Sequence, residues 1–409
     1  MKNTYVVRIF APGAFSGIGG AEKYAATIAQ YLSRNYENLD IKFVSYRHDR
    51  KERGGMEFLN AAYELSIPDS VGVIALDEER NRTWGRFLAH RALRQTSRHV
   101  DLYINCFHNV HFFHAKKNVH IVHFPAPRRT VGSPTFRGNL LLRPLAAILD
   151  RKYKDCYDLF ICNSRFTELW LEKYWGISSD RRAILYPPTV GQREWSSKIE
   201  LDKEPIILIV SRFDPRKNIV EMVRFFAESE RQFPGWRLVV AGSLGEGDEA
   251  YAERICEAAK GHRIDILPNV SANQRNELYR KASIFWHAMG MKADENTHPV
   301  DVEHFGISTV EAMAAGAVPV VIDKGGQREI VDAGENGFRW SSFRELETMT
   351  QKLMADAELR VAMSKKAIET SRKYSLEAFY MSIDSIFAKN NLIPMRFRRS
   401  AVGYDKISE

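Results

Sequence analysis

The stretch from Val302 to Val321, VEHFGISTVEAMAAGAVPVV, constrains the fold more than any other part of the chain. It reads as a short glycine-containing loop followed by a helix rich in Ala and Met. Ala315-Gly316-Ala317 stops that helix, and Pro319-Val320-Val321-Ile322 opens a buried strand. With the first helical turns at Thr309 to Met313, the backbone N–H groups around Phe305, Gly306 and Ile307 point at whatever lies before them, which suits a phosphate. Glu303 before the loop and Glu311 one turn into the helix are carboxylates that accept hydrogen bonds from hydroxyls. Two Glu residues eight apart also occur on solvated helix faces. The stretch nevertheless suggests a phosphate and a sugar side by side.

The chain before it alternates strands with helical stretches. Tyr5 to Phe10 is a buried strand, Gly13 to Gly20 a glycine-containing loop, and GGAEKYAATIAQYLSRN a helix with Tyr24, Ala25, Ile28, Ala29 and Leu32 on its apolar side. Strand, glycine loop and helix in that order can cradle a phosphate through Gly19 and Gly20, or simply make a tight turn. Further strands are expected at Ile41–Ser45, Asp101–Asn105, Val119–His123 and Asp158–Asn163, with Ser164 capping the next helix. The pattern is that of a parallel, doubly wound sheet. His123 stands at the carboxyl end of its strand, where ligands gather in such sheets. The spacing His108-x-x-His111-x-x-His114 lacks the Cys or carboxylate partners of a metal site and fits one patch of a loop or helix.

After Ile184-Leu185-Tyr186-Pro187-Pro188, a stiff extended segment, residues 189–204 are polar and without period and read as a linker. Pro205 to Val210 then begins a second alternation, with strands at Leu238–Gly242, Ile264–Leu267 and Ile284–Ala288. Just past the first of these strands, Arg212, Arg216 and Lys217 would neutralise a diphosphate without a metal, or form a solvated basic turn. The polar run between Ala288 and Glu303 reads as a solvated flap beside the phosphate and sugar site.

Together these pieces resemble the family 4 retaining glycosyltransferases. The Glu-x7-Glu signature of that family is matched at Glu303, Phe305, Gly306, Ile307, Glu311, Ala312, Met313, Ala314, Gly316, Pro319 and Val320. Gly19-Gly20-Ala21-Glu22 is similar to the family's Gly-Gly-x-Glu, and Gly325 to Val331 and Gly334 to Phe338 to its later glycine motifs. Arg212 and Lys217 keep their places in its basic turn, where Ser211 replaces the usual Gly. The chain departs from the family at Asn269, commonly Gly, and at His287-Ala288, commonly Pro-Ser.

The resemblance implies a GT-B fold, two doubly wound Rossmann-like α/β domains facing each other across a cleft, with a C-terminal helix returning to the first. The expected bounds are 1–188 and 205–372 for the domains, and 373–409 for the returning helix and a basic tail. It implies a retaining transfer from a nucleoside diphosphate sugar, GDP- or UDP-linked, with no cofactor and no divalent metal. Arg212 and Lys217 would then stabilise the departing diphosphate, Glu303 orient sugar hydroxyls, Glu311 hold the ribose, and His123 position the sugar or acceptor. His120 to Pro125 and Glu303 to Ile307 are similar to mannosyltransferases of lipid-linked oligosaccharide or surface-polysaccharide assembly. A mannosyl donor and a lipid-linked glycan acceptor are therefore expected.

Length and charge fit this picture. A 409-residue chain exceeds one hydrophobic core, and 44% hydrophobic with 27% charged residues describes a globular protein. Apolar runs fall short of a membrane span, the first residues read as a strand and not a signal peptide, and four cysteines without a Cys-x-x-Cys pair point to a reducing, cytoplasmic setting. Residues 1–200 hold 30 Lys+Arg against 20 Asp+Glu, a net of +10, and the remainder 29 against 31, or −2. The basic first half suggests an anionic partner. Arg80 to Arg98 and Arg128 to Lys154 interleave cations with apolar residues, as a surface lying on an anionic membrane would; the same pattern also fits a packed domain with an arginine face. No nucleic-acid motif accompanies the charge. An epimerase or phosphorylase on the same fold, or a non-catalytic basic module, is the competing reading. The absence of a pyridoxal phosphate lysine motif speaks against the phosphorylase, and the intact Glu303, Glu311, Arg212 and Lys217 against the inert module.

Overall fold

The computed structural model describes residues 4–15, 19–47, 55–77, 91–107, 113–125, 148, 151–189, 203–245 and 247–399. The chain divides into two compact units, Met1–Pro187 together with Phe379–Glu409, and Pro188–Ala378.

In the first unit β1 (Tyr5–Phe10) and α1 (Gly20–Asn35) are followed by β2 (Leu39–Arg47), α2 (Gly55–Tyr63), β3 (Gly72–Asp77), β4 (Leu102–Asn105), β5 (Lys117–Val122), β6 (Leu159–Cys162), α3 (Arg165–Trp175) and β7 (Arg182–Ile184). The sheet order is β3-β2-β1-β4-β5-β6-β7, with every pairing parallel. β4 and β6 are buried at every position, which is what a parallel sheet covered on both faces demands. Ser164 caps α3 as its sequence predicts, accepting from the Thr167 N–H at 3.0 Å, and Gly176 ends the helix in the left-handed conformation. The strand order reverses between β1 and β4, and this switch point is where ligands of such sheets bind.

The second unit starts with β8 (Glu204–Val210) and α4 (Ile219–Glu228), then β9 (Arg237–Gly242), α5 (Glu249–Ala259), β10 (Ile264–Pro268), α6 (Ala272–Lys281) and β11 (Ala282–His287). It continues with α7 (Ile307–Ala314), β12 (Val318–Ile322), α8 (Gln327–Ile330), β13 (Phe338–Trp340), α9 (Phe343–Ala355) and α10 (Ala357–Ser371). Its sheet is again all parallel, in the order β10-β9-β8-β11-β12-β13, with the switch point between β8 and β11. Successive residues of β8 serve two cores. Ile207 and Ile209 pack with Trp286, Phe226 and Val320, while Ile206, Leu208 and Val210 pack with Phe285, Ala312 and Ala315.

α11 (Leu376–Lys389) passes from the second unit into the first. There Gln30 Nε2 of α1 donates to Tyr380 Oη, and Tyr31 Oη donates to Asp384 Oδ1, both at 2.6 Å. Arg398 pairs with the same aspartate at 2.7 Å, and Tyr5 Oη donates to the Leu392 carbonyl. Among the described residues no helix is long and apolar enough to cross a membrane. Most of the two basic-apolar stretches lies outside the described residues. Within them, Leu93 is buried in the first unit's core while Arg91 and Arg94 are exposed.

Candidate functional site

The second unit assembles its site at the carboxyl ends of β8 and β11. Past β8, Asp214 caps a single 3-10 turn, Pro215–Lys217, by accepting from the Arg216 N–H at 2.9 Å. The Arg216 guanidinium binds the same carboxylate, and with Arg212 nearby it holds Asp214 down to about 2. Asn218 follows in the left-handed conformation and ends the turn. The Asn218 amide donates to the Ala288 carbonyl at 3.0 Å and so ties this turn to the end of β11.

Lys217 Nζ meets Glu303 Oε2 at 2.8 Å, and His287 Nε2 reaches the same oxygen at 3.1 Å. Burial alone would raise the Glu303 carboxyl, but Lys217 and then His287 hold it well below the usual carboxylate range. The imidazole of His287, buried at the end of β11, is pushed down by that burial more than Glu303 pushes it up. A neutral ring results, with its proton on Nε2 facing the carboxylate.

The main chain fixes Glu303 equally firmly. The Gly326 N–H donates to the Glu303 carbonyl at 2.8 Å. A Cβ on Gly325 would stand 2.3 Å from that carbonyl oxygen, and one on Gly326 2.3 Å from that of His304, so only glycines let the loop after β12 approach this closely. Gly306, with φ of 118°, is the N-cap of α7 and aims the helix's first amides outward, as the sequence predicts. The helix begins at Ile307, ahead of the expected Thr309. The Phe305 side chain packs into the core against Tyr374, at 5.2 Å between ring centroids, leaving its main chain to the site. Glu311 is buried one turn along α7 and accepts from Tyr279 Oη at 3.2 Å. At the other end of the helix, Lys203 Nζ donates to the carbonyls of Ala315 and Tyr279.

The loop from Ala288 to Glu303 corrects one expectation. It is solvated at its tip as expected, but it is laced to the glycine pair and so is not a flap. Lys324 Nζ donates to the carbonyls of Gly290, Met291 and Ala293, at 2.9, 3.1 and 2.6 Å, and Glu295 binds both Arg328 and the Gly325 N–H. Its outer residues Asp294, Asn296, Thr297 and His298 remain exposed.

In the first unit, Gly19 caps α1 and exchanges hydrogen bonds with Tyr63 Oη, at 3.0 and 3.2 Å, and Gly20 opens the helix. His123 follows β5, its ring edge-on to Tyr24 at 5.8 Å and its carbonyl accepting from Thr167 Oγ1. Gly19 and His123 therefore flank α1 at the carboxyl ends of β1 and β5. His108 and His111 lie outside the described residues, and His114 is engaged by Arg94. Among the described residues no cluster of His, Cys, Asp and Glu could hold a metal ion.

The structure thus brings Lys217 and Glu303 together, and Arg212 pairs with Asp214 in the turn that carries Lys217. It adds His287 and Asn218, which the sequence reading did not select. A signal for His287 existed, since it too is a histidine at the carboxyl end of a buried strand.

Residues 18–189 match the description Glycosyltransferase Family 4, and residues 191–370 match Glycosyl transferases group 1. A GDP-Man:Man(3)GlcNAc(2)-PP-Dol alpha-1,2-mannosyltransferase of Dictyostelium discoideum is 27% identical over 48% of this chain and 40% of its own length. An uncharacterized glycosyltransferase of Methanocaldococcus jannaschii is 25% identical over 78% of this chain and 80% of its own. The chain spans 40%, 43% and 55% of the length of the first three curated relatives it matches. Among solved structures, Anabaena HepE in complex with UDP and glucose superposes with a TM-score of 0.65 over 94% of this chain and 99% of that one, at 15% identity.

Proposed function

Because the chain belongs to the family 4 glycosyltransferases, whose descriptions its two halves match, we propose that it moves mannose from GDP-mannose to a lipid-linked glycan with retention of configuration. The observation that carries this reading is the Lys217–Glu303–His287 cluster beside the first amides of α7, at the switch point of the second sheet. A diphosphate placed there meets Arg212, Lys217 and the amides following Gly306, groups that stabilise the charge left on the leaving phosphate. Glu303 then faces the donor sugar and Glu311 the ribose. The bond from the anomeric carbon to the phosphate oxygen breaks with its electron pair going to the phosphate. The acceptor hydroxyl bonds to the same carbon from the same face and gives its proton to that phosphate oxygen. His123 positions the sugar or acceptor. The mannosyl donor and dolichol-linked acceptor are supported by the names of two relatives, each covering less than half its own length.

Incubation with GDP-mannose, UDP-glucose and UDP-N-acetylglucosamine, each with lipid-linked acceptors, tests this by product mass. A hexose added only from GDP-mannose, undiminished by EDTA, is expected. Transfer from a UDP-sugar alone overturns the donor assignment, and activity that EDTA abolishes and manganese restores overturns the metal-free scheme.

A lipid-linked acceptor places the work at a membrane face. The exposed Arg91 and Arg94 support an electrostatic attachment there, at about 1 kcal/mol for each basic residue near an anionic surface. Co-sedimentation with anionic vesicles should weaken with salt and with Arg91→Glu and Arg94→Glu; recovery in the supernatant regardless of lipid charge rules this out.

A further inference from the structure

Lys217 has two tasks that compete. It grips Glu303 Oε2, and in the reading above it also meets the donor diphosphate. Its other neighbour is Met289 Sδ at 3.0 Å, a weak acceptor that a phosphate oxygen readily replaces. One ammonium then serves two anions, the diphosphate in the place of Met289 Sδ and the Glu303 carboxylate, so its hold on Glu303 weakens at the moment when Glu303 must orient the sugar.

His287 binds the same carboxylate oxygen from a different element and has no such second task. It is the last residue of β11, its backbone in register with Val321 of β12, so the ring is fixed by the sheet and not by a loop. The ring is buried, and Nδ1 has no hydrogen-bond partner among the described residues. A second ring proton would therefore sit in a place without an acceptor, and the neutral tautomer with Nε2–H toward Glu303 is the one the site accommodates. Asn218, by holding the Ala288 carbonyl, keeps this strand end in step with the turn that carries Lys217. Proline, common here in the resembling family, has no group that could make such a bond. We propose that His287 is a positioning residue that keeps the Glu303 carboxylate aimed at the donor sugar while Lys217 is shared with a bound diphosphate.

This inference rests on the donor site described above, and the experiment separates the two. GDP and UDP affinities, kcat and KM for the nucleotide sugar, and melting temperature are measured for the wild type, His287→Ala and His287→Gln. Because the reading above gives the nucleotide to Arg212, Lys217, the α7 amides and Glu311, and the sugar to Glu303, His287→Ala should leave the affinity for the nucleotide the wild type prefers within about 2-fold. Its kcat should fall on the order of 10–100-fold through misplacement of the carboxylate. His287→Gln, whose side-chain N–H reaches toward the same oxygen, should recover most of that loss. Should His287→Ala fail to fold, His287→Phe takes its place, filling the volume without a donor. An unchanged kcat overturns the inference. So does a loss of nucleotide affinity equal to the loss of kcat, or a His287→Gln chain as impaired as His287→Ala. If the wild type binds neither GDP nor UDP, the donor site itself is what fails.

Discussion

The two units share a parallel sheet, a switch point and a glycine at a helix start, yet they present different chemistry at the same topological place. The second unit gathers three cations against two carboxylates in two groups, Arg212 and Arg216 on Asp214 and Lys217 on Glu303, each ion pair 3.9 Å or less. The first unit presents rings and a thiol: Tyr24, Tyr63, His123 and Cys106, with the Glu22 carboxylate close to Gly19. Burial pushes the Cys106 thiol and the Tyr63 hydroxyl up, so both stay neutral near pH 7. The sheet supplies position, and the residues just past each strand decide what is recognised there. A surplus of positive charge suits an anionic leaving group; rings and hydroxyls suit a neutral sugar.

The sharpest way to break that comparison is to remove charge from one side only. Lys217→Ala should lower the rate of transfer on the order of 10²–10³-fold, the loss of roughly 3–4 kcal/mol of leaving-group stabilisation. Without the ammonium the Glu303 carboxyl moves up, so the acid limb of the pH–rate profile shifts to higher pH as well. A loss under about 10-fold would mean that the charge cluster serves the fold and not the reaction. Glu311→Ala is the milder test within the same unit. If Glu311 holds the ribose as proposed, its loss should weaken nucleotide-sugar binding about 10-fold, the value of one hydrogen bond to a charged group, and unchanged binding by calorimetry would remove it from the site.

The smallest expected effect concerns stability. Burial, with Arg280 adding to it, pushes Lys203 down to about 7 at the end of α7. An unfolded lysine stays protonated to about pH 10, so between about pH 7 and 10 the unfolded chain binds the extra proton. The contribution of Lys203 therefore strengthens the fold as pH rises through that window and is flat below it. Between pH 7 and 9 the melting temperature of the wild type should gain about 2–4 °C on that of Lys203→Met, about 1 kcal/mol after solvent screening. Parallel pH profiles for the two chains would show that Lys203 keeps an ordinary value.

Much of this was legible in the sequence because it is local. The loop, helix, stop and strand between Glu303 and Ile322 lie within one short segment, and Gly306 sits where its left-handed N-cap is required. The central strands showed as apolar runs because parallel sheets bury both faces. The edges were harder to see. β3 carries the apolar run Val73 to Leu76 but exposes Val73 by 44%, and β7 is only three residues long; both were missed. The pairing of Lys217 with Glu303 joins residues 86 apart, and His287 with Glu303 joins residues 16 apart across a loop. Spacing along a chain says nothing about such contacts until the strand order is known. The anchoring of the loop after Ala288 was missed for a related reason. Its composition is polar, but its polar groups are spent on Lys324, Arg328 and the glycine pair.

The passage of α11 into the first unit also sets the order in which the protein can be completed during synthesis. Gln30 and Tyr31 of α1 wait for partners 350 and 353 residues later in the chain, Tyr380 and Asp384. At about 5–20 residues per second, the ribosome needs roughly 20–70 s to supply them. The second unit, one continuous run from Pro188 to Ala378, is fully translated before the first unit receives its last layer. For that interval the newborn first unit lacks Phe379, Tyr380 and Phe387 against the rings of Tyr24 and Tyr31, an aromatic face open to chaperones and to other nascent chains.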